Sequence, residues 1–390
     1  MAGGRLKRIL NLGLVTMVNS VSVLLLQVLA LVALMPADFG RFSAVYLMFG
    51  LATSFLLSIV CEAWQRTKPA ANWRAYGATL FWISLVAGAV AGTVCLAVGS
   101  LRPLALPVFL AVAGAIYRTG GRYFAVQQGE ARYVIYGDLA SLIVLTASWG
   151  WVFVLVSDGE RLGAVVWAWA ASSVAAALLS KPPVSISLRE LRPWCSRHAR
   201  EIKTLLLDSV ILDAAGIGVP YVMIPVLSIS GFGTYRALSN FSGPVKLILF
   251  PLRPLFSTRD VAWFARGKVV ASASGVSLVI GIVGGVALYV LQQTTFELGT
   301  LRALAEFWPI AAVFVAATFL NGVYYLVGRS HFERSVLLSA RVAATSLGIV
   351  LPLGGALLGD VEGALVGVTA FTCVVAAIWV VLTVRAAKRA

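Results

Sequence analysis

Charged residues are scarce in this sequence: they occupy 12% of its 390 positions, about half the share that is usual in soluble domains. Hydrophobic residues make up 60%, and the mean hydropathy is +0.91. The interior of a soluble fold could not hold this much apolar surface. The composition therefore excludes a soluble enzyme, a disordered chain and a disulfide-stapled secreted domain, and it leaves a polytopic membrane protein.

Groups that bind metals or carry catalysis are also few. The two histidines are far apart, and the four cysteines have no CxxC spacing, which argues against a metal site or a disulfide framework. The sequence Gly267-Lys268 is followed by Val269, so it is not part of a P-loop. We therefore expect no metal, no cofactor and no enzymatic activity.

Acidic residues are half as numerous as basic ones, at 16 against 31, which gives a net charge of +15. The basic residues fall in short segments between apolar runs, where they set topology and meet anionic lipid headgroups. No continuous basic surface for nucleic acid can form from such segments. We expect membrane lipids as partners and no nucleic acid.

Twelve apolar runs have about the length of a membrane-spanning helix. They lie at residues 9–35, 42–61, 76–99, 104–126, 133–156, 164–180, 204–228, 237–256, 269–291, 304–327, 336–358 and 364–384. With the N-terminus in the cytoplasm, 24 basic residues face inside, five face outside and two, Lys246 and Arg341, lie within helices, as the positive-inside rule requires. The sequence predicts an all-α membrane protein of twelve transmembrane helices, with both termini cytoplasmic.

The longest loop, at residues 181–203, is basic and lies between the sixth and seventh runs. It predicts an N-terminal six-helix lobe at 1–180, a cytoplasmic linker at 181–203 and a C-terminal six-helix lobe at 204–390. Pro193 is expected to break any single helix within the linker. Two interpretations of the linker are open. Its apolar side chains hold it flat on the membrane surface, or it is a solvated connection.

A short motif recurs at the same place in each half. Residues 38–44 read Asp-Phe-Gly-Arg-Phe-Ser-Ala after the first run, and residues 231–237 read Gly-Phe-Gly-Thr-Tyr-Arg-Ala after the seventh. The matching positions predict two six-helix repeats related by an axis along the membrane normal. Gly40 and Gly233 are expected to permit a sharp reversal between neighbouring helices.

The segment at residues 34–44, Leu-Met-Pro-Ala-Asp-Phe-Gly-Arg-Phe-Ser-Ala, resembles the turn between helices 1 and 2 of the polysaccharide-transporter family. This family comprises O-antigen-type flippases within the multidrug/oligosaccharidyl-lipid/polysaccharide exporter superfamily. The resemblance implies two six-helix lobes around a central cavity. It also implies alternating-access export of an undecaprenyl-diphosphate-linked glycan for surface polysaccharide (exopolysaccharide) synthesis. A bacterial inner membrane would suit it, with a polysaccharide polymerase and glycosyltransferases as partners.

Several basic residues lie inside the predicted helices, where a charge costs about 2.5–3.5 kcal/mol and therefore faces a cavity or a partner. Lys246 and Arg253 share a face of the eighth helix, and Arg118 and Arg122 share a face of the fourth. These four residues are candidates for a cationic cavity that binds a diphosphate. The alternative for the arginines is that they reach the cytoplasmic headgroups.

Three acids are embedded as well and are candidates for coupling to H+ or Na+: Asp138 in the fifth helix, and Asp208 and Asp213 in the seventh. Asp213 lies about 15 Å from the start of its helix, near the midplane. Its alternative role is a salt bridge to Lys246. For Asp138 and Asp208, structural pairing with arginine is the favoured alternative.

The seventh run is rich in helix-breaking residues. Gly216, Gly218, Pro220 and Pro225 follow one another closely and predict a kink or a discontinuous helix. Such a break acts as a gate hinge in helices that rock, or it is a static kink stabilised by packing.

Three functions stay open at this point. The first is a flippase of a lipid-linked glycan. The second is a multidrug or cation-coupled exporter of the same fold, which would need an acid-lined cavity without lysine, so Lys246 argues against it. The third is a non-transporting membrane scaffold of a polysaccharide assembly complex, which nothing in the sequence excludes.

Overall fold

The computed structural model describes residues 2–67, 73–128, 130–245, 249 and 259–388. These residues contain no strand, and their long helices are numbered α1 to α12. They are α1 Ala2–Ala33, α2 Pro36–Leu56, α3 Trp73–Ala97, α4 Ala105–Gln128, α5 Ala131–Leu155, α6 Arg161–Leu179, α7 Leu191–Asp213, α8 Ile229–Phe241, α9 Gly267–Gln293, α10 Trp308–His331, and α11 and α12 within Arg334–Ala387. Each predicted run overlaps one of them.

Two of the helices continue through a π-helical turn. Helix α2 passes through Leu57–Cys61 into Glu62–Thr67, and α7 passes through Ala214–Gly218 into Val219–Val226. Short helices at Val261–Phe264 and Gly299–Ala305 lie in the connections of the second half. Almost the whole described chain is helical, and the connections between the helices are short.

Eight segments of the described chain are long and apolar enough to cross a membrane, and the two parts of α7 make a ninth if they form one bent span. One of the eight, Ser335–Ala387, has 53 residues. A single helix of that length would measure about 80 Å, whereas the hydrocarbon core is roughly 30 Å thick. The backbone angles of Gly359 and Asp360 are not helical, so this segment forms a hairpin of two spans. The predicted all-α, multi-pass membrane fold is confirmed.

The hairpin of α11 and α12 is closed by glycines. A Cβ atom on Gly355 would lie 2.0 Å from the carbonyl oxygen of Gly363, and a Cβ atom on Gly363 would lie 2.0 Å from that of Gly355. Only a residue without a side chain lets the two backbones approach this closely. At the tip, Asp360 has a φ of +50°, a conformation that favours glycine.

The chain divides into two compact units. The first comprises Met1–Ala33 and Arg41–Ile217, and the second comprises Leu34–Gly40 and Gly218–Ala390. In the first unit α1 packs on α5, α3 packs on α4, and α4 and α5 both pack on α6. In the second, α9 packs on α10, and α10 packs on the hairpin of α11 and α12 around Tyr324 and Trp379. The predicted linker, 181–203, lies inside the first unit.

An internal repeat is visible in the packing of α3 and α9. Gly88 and Gly92 of α3 lie directly against α4, and Gly281 and Gly285 of α9 lie directly against α10. Each glycine of the second pair follows its counterpart by 193 residues, as Gly233 follows Gly40. These paired glycines allow close helix contact within the membrane. They were not part of the sequence prediction, although their spacing of four residues was visible there.

The recurring motif does not form turns, and this part of the prediction was wrong. Gly40 lies in the first turn and a half of α2, and Gly233 lies at the same level of α8. A Cβ atom on Gly40 would lie 2.3 Å from the carbonyl oxygen of Ile229, and one on Gly233 would lie 1.9 Å from that of Pro36. Pro36 and Ile229 are themselves 193 residues apart, so the two copies cross each other with two-fold symmetry. The glycines serve this crossing and not a reversal of the chain.

The second half of the predicted linker is the start of α7, which begins at Leu191. Pro193 is compatible with this helix because the first turn of a helix needs no backbone donor there. Trp194 does not lie on the membrane surface. It is 3% exposed, and its indole nitrogen donates to the carbonyl oxygen of Ile59 at 3.0 Å. The start of α7 is therefore fixed to α2.

Candidate functional site: a buried charge cluster

A cluster of polar side chains lies inside the first unit, where α1, α4 and α5 meet. We call Asn19, Arg118, Arg122, Asp138 and Ser141 the charge cluster. Asp138 is 0% exposed, and it accepts from Arg118 Nη2 at 2.6 Å and from Arg122 Nη1. The guanidinium of Arg118 also donates to Ser141 Oγ and to Asn19 Oδ1, both at 3.2 Å.

The helical spacing explains how the cluster assembles. Arg118 and Arg122 are four residues apart, so both project from one face of α4. Asp138 is the eighth residue of α5 and lies about 10 Å from its start. Arg118 lies ten residues before the end of α4, about 15 Å away. The cluster is therefore buried well inside two candidate membrane spans.

The formal charges of the five cluster residues sum to one positive unit, because two arginines meet one carboxylate. The arginine side chains are 10% and 15% exposed, so neither reaches for the headgroups, and the pairing considered for Asp138 is present. The Nε atom of Arg118 is buried and has no hydrogen-bond partner among the described residues. The cluster thus keeps both a surplus charge and an unused donor, which suit an anion.

The second candidate position is Asp213, at the end of the regular part of α7. Its carboxylate accepts a hydrogen bond from the side chain of Ser54 in α2. The Oδ2 atom is buried and has no partner within the described part of the chain. A carboxylate oxygen of this kind is a potential acceptor for a proton or a small cation.

The remaining predicted site residues are not brought together by the described structure. Lys246 and Arg253 lie outside the described residues, so the alternative salt bridge between Asp213 and Lys246 stays a prediction. Asp208 lies on α7, one turn and a half before Asp213. Over the described residues there is no group of three His, Cys, Asp or Glu side chains that could hold a metal ion.

The predicted break in α7 is present. Gly216 and Gly218 lie in the π-helical turn Ala214–Gly218, and Pro220 and Pro225 lie in the short helix after it. The helix is bent at this place. Its proposed action as a hinge stays a prediction.

No family model matches the chain, and no curated protein matches it in sequence. Solved structures do match. A multidrug resistance MATE family transporter of the MOP superfamily, in an inward-facing conformation, matches with a TM-score of 0.65 and 15% identity over 96% of both chains. The lipid II flippase MurJ, in an inward closed conformation, matches with a TM-score of 0.63 and 11% identity, over 95% of this chain and 87% of that one.

A third match is a MOP superfamily transporter from Pyrococcus furiosus, with a TM-score of 0.55 and 15% identity over 98% of this chain and 97% of that one. Its reported binding pocket has reversed polarity, which is taken to indicate a different function. The chain has the fold of MOP superfamily transporters. The likeness agrees, at the level of the fold, with the resemblance found at residues 34–44, whereas membership of the polysaccharide-transporter family stays a prediction.

Several polar partners within this MOP fold were missed by sequence reasoning. Ser141 completes the charge cluster, and Ser54 binds Asp213. Ser58 lies in the π-helical turn of α2, and its hydroxyl lies 2.6 Å from that of Ser209 in α7. A serine in an apolar helix is a weak signal, because its hydroxyl can bond its own backbone equally well.

Proposed function

We propose that this protein is a transporter that moves a polyprenyl-diphosphate-linked oligosaccharide across the bacterial inner membrane by alternating access. The transported lipid would serve surface polysaccharide synthesis, together with a polymerase and glycosyltransferases. No bond is made or broken in such a step. The protein only has to provide a path on which the charged and polar headgroup is never exposed to hydrocarbon.

The sign of the buried charge carries this proposal. The charge cluster has two arginines and one aspartate, so the cluster itself favours an anion. A diphosphate carries about two negative charges, and the guanidinium group offers it paired donors. An exporter of cationic drugs would be expected to have the opposite polarity. The likeness to a lipid II flippase agrees with a lipid-linked substrate.

Both arginines are already bonded to Asp138. We therefore propose that the cluster attracts the diphosphate through its net positive charge. The Nε atom of Arg118 has no hydrogen-bond partner among the described residues, and we propose it as the donor for a ligand that approaches α4. Lys246 and Arg253, which lie outside the described residues, are proposed to bind the diphosphate as well. When the headgroup leaves water, these fixed cations would take the place of its lost hydration shell.

Reconstitution tests the proposal. Proteoliposomes carry a polyprenyl-diphosphate disaccharide with a fluorescent group on the sugar, and a membrane-impermeant reductant destroys the fluorescence on the outer face. We expect the purified protein to expose the inner half of the label to the reductant, and empty liposomes to protect it. The same vesicles should show no uptake of a cationic dye. Uptake of the dye without movement of the lipid would contradict the proposal.

A cation-coupled multidrug exporter is the second candidate, and Asp213 is the observation that favours it. Its buried Oδ2 atom has no partner among the described residues, so it can accept a proton or Na+. In the flippase the same site would serve for coupling, with Asp208 as a further candidate. A proton or sodium gradient that accelerates dye export and not lipid movement would favour the exporter.

A further inference from the structure

An apolar groove of about 560 Å³ runs along the first unit between α2 and α3 and ends at the start of α7. We propose that this groove binds the hydrocarbon chain of the polyprenyl carrier while its phosphate group rests beside the basic start of α7. The inference rests on the proposed function and adds a binding site for the hydrocarbon chain, with a first position for the phosphate group before it reaches the charge cluster.

The groove contains almost nothing that a sugar or a phosphate could bind. Among its fourteen lining residues, polar atoms with a proton to donate belong to Thr79, Trp82 and Cys195. The hydroxyl of Thr79 donates to the carbonyl oxygen of Ala75 at 2.9 Å, and the indole nitrogen of Trp82 donates to that of Ile186 at 3.2 Å. Since Thr79 and Trp82 are already satisfied within the protein and the thiol of Cys195 is a weak donor, the occupant is a hydrocarbon.

The groove opens sideways from a membrane-spanning helix. Val86 and Val90 line it and remain 57% and 55% exposed, and both lie in the span Trp73–Ala97. Its occupant therefore enters from the bilayer and not from water. Along α2 the lining runs from Met48 to Ile59, about 16 Å at 1.5 Å per residue. This is about half of the hydrocarbon thickness.

The apolar lining favours a branched chain. A polyprenyl chain carries a methyl branch on every isoprene unit, so it makes more dispersion contacts with the side chains of the groove per unit length than an unbranched acyl chain does.

The charge at one end of the groove matches an anionic headgroup. Leu191 and Cys195 form this end, and the segment 189–203 around them has five basic and two acidic residues. Arg192 is exposed and lies on the side of α7 next to these two residues, away from the buried Trp194. A phosphate held there would sit at the membrane surface that the predicted topology assigns to the cytoplasm.

Cys195 provides a native reporter, because it lines the groove and is exposed, whereas Cys61 and Cys95 are buried. The experiment measures the rate of maleimide labelling of Cys195 in a Cys373→Ser protein in phosphatidylcholine nanodiscs. Undecaprenyl phosphate should slow labelling at least fivefold. Equal amounts of dioleoyl phosphatidylglycerol or inorganic diphosphate should leave the rate unchanged. No slowing, or equal slowing by phosphatidylglycerol, would overturn the proposal.

A groove-filling variant and a matched control complete the test. Ala87 lines the groove, whereas the nearby Ala89 on the same helix is exposed and does not line it. Ala87→Trp should abolish the slowing by undecaprenyl phosphate, and Ala89→Trp should retain it; slowing that persists in Ala87→Trp would contradict the site. If the lipid is translocated in proteoliposomes but undecaprenyl phosphate does not slow labelling of Cys195, the groove is not the binding site and the proposed function stands. Slowing without translocation would overturn the proposed function and leave the groove as a polyprenyl site.

Discussion

The crossing of the two motif copies gives a quantitative prediction for Gly40 and Gly233. An added Cβ atom would lie 2.3 Å from the carbonyl oxygen of Ile229 in one case and 1.9 Å from that of Pro36 in the other, where ordinary contact begins at 3.4 Å. Both obstacles are backbone atoms and cannot rotate away. The helices must therefore separate by roughly 1–1.5 Å, and such overpacking costs about 1–3 kcal/mol.

Gly40→Ala and Gly233→Ala should each destabilise the protein by this amount, visible as a fall of several degrees in the unfolding midpoint in detergent. The double variant should cost clearly less than the sum, because a crossing that is already separated accommodates the second methyl group. Gly163→Ala is the matched control: no atom lies within 4 Å of its Cβ position, so it should be neutral or slightly stabilising. Single variants as stable as wild type, or strictly additive losses, would refute the reasoning.

Three further predictions concern single side chains. Asp138→Asn should lower stability by about 3–5 kcal/mol in thermal unfolding, because two buried arginines lose their carboxylate. The control is Asp158→Asn, which removes the exposed partner of Arg161 and should cost under about 1 kcal/mol. Asp360→Gly should raise stability by about 1 kcal/mol in the same assay, because glycine tolerates the positive φ. Lys246→Ala should abolish translocation in proteoliposomes and Lys246→Arg should retain part of it; full rescue by adding Asp213→Ala would contradict a role in substrate binding.

The spans could be predicted because hydrocarbon demands long apolar helices, and the sequence contains little else. The start of α7 could not be predicted in this way. Residues 191–203 are rich in arginine and contain Pro193, so they have the composition of a loop. Their helix is stabilised by contacts with α2, above all the burial of Trp194. Local sequence carries no information on such a tertiary contact.

The candidate site could also be predicted only in part. The positions of Arg118, Arg122 and Asp138 inside the spans followed from hydropathy alone. Their convergence on one carboxylate did not, because it depends on which face of α5 packs beside α4. Gly40 was recognised in the sequence, but its role could not be predicted. That role depends on contact with the segment around Gly233, which lies 193 residues away.

The central claim is that the surplus positive charge of the cluster moves an anionic lipid, and one comparison of rates tests it most directly. Translocation of the labelled polyprenyl-diphosphate disaccharide is measured for Arg118→Gln, Arg118→Lys and, as a control, Arg161→Gln, whose arginine forms an exposed pair with Asp158. Losing a charge-assisted bond of about 1.5–3 kcal/mol predicts at least a tenfold slower rate for Arg118→Gln, partial activity for Arg118→Lys and no change for the control. A normally folded Arg118→Gln protein that moves the lipid at the wild-type rate would contradict the account.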